Sequence, residues 1–485
     1  MINWKIIFKI LGSLLYLEAI MMTVCLTMAV YYAEDDIFSF IVTVFLTLIG
    51  GIIFHYLGKD SINTLSRRDA YLVVTLSWSI FSLFGTLPFL VGGFINNFTD
   101  AYFETMSGFT TTGATLIDDV EALPHALLFW RSLTQWVGGL GIIFFTIALL
   151  PSMVGGSVRV FAAEATGPVR AKLHPKLSTS AKWIWTIYLV LTVGCFLSYM
   201  ACGMGWFNAF NYAMTSTATG GFSTTNDSIA TFNSPAEEYV CTLFCFLSGV
   251  NFTLLYLTVA KLRIKSLFQN AEFRFYISLI LCSTLFIMFE LITRNGYDIE
   301  HAFRSSIFQT VSFITTTGMF SDDAAKWPHV TWVVLAVLMF VGGMSGSTSG
   351  GVKSIRGVML LKVVRNEFQQ ILHPNAVLPM KINNTNIPMA KRVTLLGFLT
   401  LYILLAFLCT FVMILSGVDH TNAITITLSC LGNVGPTLGL EIGPTMSWAQ
   451  LPDLVKWFCT FLMLVGRLEM FSVLVIFTPA FWEKR

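Results

Sequence analysis

The sequence predicts an all-α integral membrane protein. Two N-terminal spans precede four repeats of a long helix, a short apolar segment, a tight turn and a second long helix, related by pseudo-fourfold symmetry about an axis along the membrane normal. Three observations predict it. Hydrophobic residues make up 55% of the 485 and charged residues 12%, with a mean hydropathy of +0.73. Ordinary soluble domains carry about 25% charge, so this chain cannot cover a water-facing surface of its own size. Apolar runs of roughly 20 residues, the length that crosses a bilayer, recur along the whole chain, and a polar glycine-containing turn recurs four times between them.

The spans are read near 8–32, 37–57, 71–95, 126–150, 181–204, 238–260, 275–293, 330–361, 393–416 and 453–479. Apolar stretches near 101–109, 207–216, 301–314 and 421–431 are too short to cross and suit re-entrant segments. The chain therefore divides into an N-terminal pair of spans at 1–60 and repeats at 69–152, 179–262, 272–366 and 390–485. The first apolar run, Ile6 to Tyr32, is too long for a cleavable signal and has no small-residue cleavage site, so it is expected to remain a membrane helix.

Orientation follows from the basic residues. Lys5 and Lys9, then Lys59, Arg67 and Arg68, then the groups Arg159 to Lys182, Lys261 to Arg274 and Lys353 to Arg392, and finally Lys484 and Arg485 all fall on one side. Short cytoplasmic loops carry such an excess, so both termini are expected in the cytoplasm. Acids such as Glu34, Asp36, Asp118, Asp119, Asp322 and Asp323 collect on the other side, which attracts cations.

Several function classes drop out. A formal charge of +2 gives no reason to expect a nucleic-acid partner. The nine cysteines lie mostly in apolar runs without a Cys-x-x-Cys, and the seven histidines lack metal-ligand spacing. An enzyme would need convergent acid, base or metal groups, and no Ser/His/Asp, His-x-x-x-His or paired-carboxylate arrangement lies in the spans.

The four turns read Thr110-Thr111-Thr112-Gly113, Thr217-Ala218-Thr219-Gly220, Thr315-Thr316-Thr317-Gly318 and Gly432-Asn433-Val434-Gly435. Non-helical backbone at membrane depth is tolerated only where protein buries it or where it lines an aqueous cavity. Four such turns around one axis direct carbonyls at a shared hole, and a ring of carbonyls replaces the hydration shell of a monovalent cation. Threonine hydroxyls extend that cage, and each short helix directs its partially negative C-terminus at the centre. No turn carries the carboxylate a divalent ion wants. A single Thr-Thr-Gly is ordinary helix-packing glue; the fourfold recurrence is what separates these turns from it.

With the flanking residues, Ser107 to Gly113, Ser216 to Phe222, Phe313 to Gly318 and Leu431 to Pro436, the chain resembles the Trk/Ktr/HKT superfamily of potassium transporters, and within it the bacterial TrkH type, over essentially its whole length. The resemblance implies four M1-pore helix-M2 repeats around a central pore, K+ as the transported ion with no bound organic cofactor, and contact with that ion by the backbone of the four turns. It also implies channel-like uptake across a bacterial inner membrane, a homodimer embedded in membrane lipid, and a cytosolic ring of TrkA-type nucleotide-binding regulatory subunits. A Na+- or H+-coupled symporter on the same scaffold is the alternative. The fourth turn departs from the threonine pattern at Asn433 and Val434, and none has the longer Thr-Val-Gly-Tyr-Gly run, so weaker discrimination is expected.

The eighth span is interrupted by Gly342, Gly343, Met344, Ser345, Gly346, Ser347, Thr348, Ser349, Gly350 and Gly351, too glycine-rich for a regular lipid-facing helix. It is not a phosphate-binding loop, because Val352 stands where lysine should follow. A close-packed helix crossing is the bland reading; the resemblance implies a loop beneath the turns that gates the pore. Arg467 lies deep in the last span, where a charge costs roughly 2.5 to 3.5 kcal/mol. The resemblance gives it the role of a barrier to cations, against a structural ion pair. Arg131 and Glu290 are expected as interfacial partners at span ends, and Glu18 has no assigned role.

Overall fold

The computed structural model describes residues 2–59, 61, 65–142, 177–259, 262, 264–383, 385–439, 442–443 and 445–483. The expected continuation of the fourth span to residue 150, and the basic residues Arg159, Arg170, Lys172, Lys176, Lys261, Arg263, Lys484 and Arg485, lie outside them.

Helix α1 (Trp4–Tyr32) starts where the Asn3 side chain accepts the Ile6 N–H at 3.3 Å. It crosses α2 (Ile37–Leu57) closely because Gly12 sits against the His55 backbone, where a Cβ would come within 2.7 Å of the amide nitrogen. The outer faces of both helices expose Ile20, Phe38, Phe45 and Ile52. Helix α3 (Arg67–Gly85) opens on a capping box between Ser66 and Asp69.

From there the chain runs through the same order of elements four times. The long α3 is followed by α4 (Phe98–Phe109) and α5 (His125–Leu140). Next come α6 (Leu177–Ala201), α7 (Trp206–Ala218), α8 (Pro235–Ser248) and α9 (Phe252–Val259). Then α10 (Ala271–Glu290) leads into α11 (Ile299–Ile314), α12 (His329–Val341) and α13 (Ser354–Leu372). The last set is α14 (Met389–Leu415), α15 (His420–Gly432), α16 (Asp453–Arg467) and α17 (Phe471–Leu474). Short helices α4, α11 and α15 start on the side chains of Asn97, Asp298 and Asp419, each accepting a first-turn N–H. Helices α5, α12 and α16 follow Pro124, Pro328 and Pro452, and α8 has Pro235 in its first turn, where proline's missing N–H is not needed.

Six described helices are long and apolar enough to cross a membrane uninterrupted, and two more crossings arise if each bent pair counts as one. Of the ten expected spans, 126–150 leaves the described residues after Ile142, and the other three that do not cross as one uninterrupted helix are second helices that break. The sequence predicts a break in one second helix, whereas all four break at corresponding places. Helix α5 gives way at Gly141 (φ 89°), α8 turns by 103° into α9 after Gly249, α12 stops at Gly342 (φ 72°), and α16 turns by 109° beyond Arg467. Just before or at the breaks, Gly138, Gly249 and Gly466 bring their helices onto the turn of their own unit or of the next one. A Cβ would lie 1.8 Å from the Phe109 oxygen, 2.6 Å from the Thr315 side chain and 2.3 Å from the Leu431 oxygen respectively.

Among the described residues the all-α expectation meets one exception, a two-residue antiparallel ribbon of Lys381–Ile382 with Thr385–Asn386, whose turn residue Asn383 accepts the Ala271 N–H at 2.8 Å. Between α1 and α2, burial and the adjacent Glu34 push the Asp36 carboxyl up to about 6. A carboxyl raised above its unfolded value stabilises the fold while protonated and loses that contribution as pH rises through the folded value. Asp36→Asn, which stays neutral, is therefore expected to match the parent's unfolding temperature in detergent near pH 4 and to exceed it by a few degrees at pH 7.5.

Candidate functional site: four turns and the segment beneath them

The four turns share one backbone geometry, and it decides their register. In each, a residue in the left-handed region is followed by one residue outside it and then by a left-handed glycine. These are Thr111 (φ 53°) and Gly113 (84°), Thr219 (53°) and Gly221 (82°), Thr316 (57°) and Gly318 (76°), and Asn433 (53°) and Gly435 (100°). The N–H between the two bonds back into the preceding helix in every copy: Thr112 to the Ser107 oxygen (2.9 Å), Gly220 to Thr215 (3.0 Å), Thr317 to Ser312 (2.8 Å) and Val434 to Ser429 (3.0 Å). The second turn is therefore Ala218-Thr219-Gly220-Gly221, one residue later than the sequence expectation. Thr217 belongs to α7, where its hydroxyl donates to the Ala213 oxygen at 2.7 Å. Two adjacent glycines allow either register in the sequence; the positive φ of Thr219 and Gly221 and the Gly220 N–H bond distinguish them.

The turns close into a ring. A Cβ built on Gly113 would lie 2.1 Å from the Gly220 oxygen, on Gly221 2.1 Å from Thr317, on Gly318 2.0 Å from Val434, and on Gly435 2.5 Å from Thr112. Each glycine thus makes room for the carbonyl of the next turn, in the order first, second, third, fourth and back to first. All four glycines line one open cavity of about 660 Å³, together with Asp118, Phe222, Phe320 and Trp448. The hydroxyls of Thr110, Thr112, Thr315 and Thr317 are occupied within the turns themselves. Thr110 and Thr315 donate back to the Met106 and Val311 oxygens, and each meets the hydroxyl two residues on, Thr112 or Thr317, at 2.8 Å. They stiffen the turns from behind. Ser107 and Ser312, which donate to the Ala114 and Met319 oxygens at 2.6 Å, do the same, a role the sequence assigns to neither.

Residues Gly342 to Lys353 pass against the opposite end of the ring. Gly350 N–H donates to the Thr316 hydroxyl (2.6 Å), Gly351 N–H to the Gly432 oxygen (2.8 Å), and the Thr348 hydroxyl to the Thr217 and Ser248 oxygens (3.1 and 3.2 Å). Thr219 donates to Thr348 at 3.2 Å, and the Ser349 hydroxyl accepts the Gly343 N–H at 2.9 Å. The segment therefore holds to the second, third and fourth turns at once. Its own ends are fixed elsewhere. The Glu272 carboxylate accepts from the Ser345 N–H (2.6 Å) and hydroxyl (3.0 Å), and the Gly346 oxygen accepts the Phe252 N–H (3.0 Å). Ser347 donates to the Met344 oxygen at 2.5 Å. Buried Lys353, which sequence reading treated only as loop charge, donates from Nζ to the Ser349 oxygen.

Arg467 joins this segment to α5. Its guanidinium donates to the Thr348 oxygen at 2.9 Å and to the Gly138 and Gly139 oxygens at 2.5 and 2.7 Å. The nearby Glu469 carboxylate instead accepts from Arg356 at 2.6 Å. Arg131 is not interfacial: it is buried, paired with Glu104 at 2.9 Å, and donates to the Ser223 oxygen beside the second turn. Glu290 pairs with Arg294 in the turn that follows α10, at 2.7 Å, and buried Glu18 lies against Gly85.

Such a ring suits a desolvated monovalent cation. A family model described as TrkH, cation transport protein, matches residues 36–484. The chain belongs to the TrkH family. It is 37% identical to the Trk system potassium uptake protein TrkH of Halomonas elongata, with 99% of each chain covered, and 35% identical to that of Escherichia coli, covering 99% of this chain and all of the relative. The crystal structure of the potassium transporter TrkH from Vibrio parahaemolyticus superposes with a TM-score of 0.90 at 33% identity, over 99% of this chain and 100% of that one. This TrkH-family chain is thus a membrane transport protein and not an enzyme.

Proposed function

We propose that the chain is the potassium-translocating subunit of an uptake system, with the four turns as its selectivity filter and residues 342–353 with Arg467 as its gate. The observation that carries this reading is the ring in which each turn's carbonyl lies against the left-handed glycine of the previous turn. Four carbonyls held in this way offer a dehydrated K+ the oxygens it loses from water. In this reading the repeats are M1-pore helix-M2 units around the pore, and a homodimer sits in a bacterial inner membrane with both termini in the cytoplasm. A TrkA-type nucleotide-binding ring then acts on the gate from the cytosolic side.

Reconstituted rubidium flux tests the reading. Flux that reverses at the potassium equilibrium potential, unmoved by sodium or proton gradients, supports a channel-like pathway; a reversal potential that follows either gradient would establish the coupled alternative. The gate has its own test. Glu272→Gln weakens the charge-assisted hold on Ser345, a bond type worth about 1.5 to 3 kcal/mol, and basal rubidium uptake should rise by roughly tenfold. Uptake at the parental level in a protein that elutes normally would detach Glu272 from gating.

A further inference from the structure

Turns one and three carry a hydroxyl pair, Thr110 with Thr112 and Thr315 with Thr317, which ties the first residue of the turn to the third. Turn two has Ala218 and Gly220 at those positions and cannot form the pair. In its place stands Gln135, fully buried on α5. Its Nε2 donates to the Gly220 oxygen at 2.7 Å and its Oε1 accepts the Phe222 N–H at 3.0 Å. One amide orientation alone satisfies both, since a carbonyl only accepts and an N–H only donates.

The space is shared with equal economy. Gly220 lies outside the left-handed region, so its conformation does not require glycine. A Cβ there would instead fall 2.4 Å from the Gln135 carboxamide carbon and Oε1. The amide thus occupies the volume that the third-position side chain fills in the first and third turns. The Gly220 oxygen is also the ring carbonyl facing Gly113. A carbonyl has two acceptor sites, so donation from Gln135 aims this oxygen while leaving one site for an ion.

We propose that Gln135 is a selectivity-determining positioning residue, its carboxamide replacing across the repeat boundary the threonine brace that the second turn lacks. The inference rests on the filter reading above. It concerns the aim of a carbonyl, so its signature is a change in ion preference and not merely in yield.

The test uses purified protein that elutes like the parent, with K+ to Na+ permeability ratios read from reversal potentials in bilayers. Gln135→Leu should lower the ratio by about fivefold or more, the effect of one lost buried hydrogen bond. Adding Ala218→Thr and Gly220→Thr to Gln135→Ala rebuilds the hydroxyl pair in the vacated space and should recover most of the loss. Gly221→Ala runs in parallel as a control on the filter itself. A parental ratio in Gln135→Leu with a lowered ratio in Gly221→Ala overturns the role of Gln135 alone. Parental ratios in both overturn the filter reading. A folded triple variant without recovery overturns the equivalence with the threonine brace. Should Gln135→Leu not elute as the parent does, Gln135→Met takes its place under the same criteria, since it is close in length and volume, uncharged, and has no N–H to donate to the Gly220 oxygen.

Discussion

Gly221→Ser should collapse the preference for K+ over Na+ by about tenfold or more while leaving the protein able to assemble. Two costs meet at this position. The residue holds φ at 82°, where a side chain costs roughly 1 to 2 kcal/mol. The new Cβ would also stand 2.1 Å from the Thr317 oxygen, so a ring carbonyl must move or the turn must open. Gly113→Ser and Gly318→Ser face the same conflict, against the Gly220 and Val434 oxygens, and should behave alike. Bilayer recordings with mixed K+ and Na+ give the readout. Unchanged ratios in all three would remove these turns as the filter.

Arg467→Ala should raise cation flux by about tenfold. A fixed positive charge in a low-dielectric wall raises the potential a cation must cross far more than it would in water. The side chain also ties the Thr348 oxygen to the Gly138 and Gly139 oxygens, so its loss frees one end of the segment beneath the ring. Arg467→Lys keeps the charge without the planar fork and should fall between. Shortening the chain between Ser345 and Gly351 should act in the same direction and make flux less dependent on a cytosolic partner. A stable alanine variant with flux no higher than the parent's would defeat the barrier role. A variant that cannot be purified would instead point to a structural ion pair, whose rupture costs roughly 3 to 5 kcal/mol.

Arg467 and Gln135 differ in how far their roles could be read from the chain. Arg467 stands out in any apolar run because a buried charge is costly wherever it lies. Gln135 does not stand out. It occupies an amphipathic stretch among Thr134, Trp136 and Gly138, and nothing local connects it with Gly220, 85 residues away. The sequence places Arg131 at an interface for the same reason: its partners Glu104 and Ser223 come from a different helix and a different repeat.

What the sequence determined by itself is the membrane class, the repeated order of helices and the four places where backbone leaves the helix. Hydropathy and glycine-rich turn chemistry are local properties, and each acts over a window shorter than one span. What only the tertiary structure decided is the register of the second turn, the break common to all four second helices and the braces behind the ring. Adjacent Gly220 and Gly221 look alike in sequence. Their difference arises when one must face the Thr317 carbonyl with positive φ and the other must yield its Cβ volume to Gln135. Both demands come from neighbouring repeats, and contacts between repeats exist only after the ring has closed.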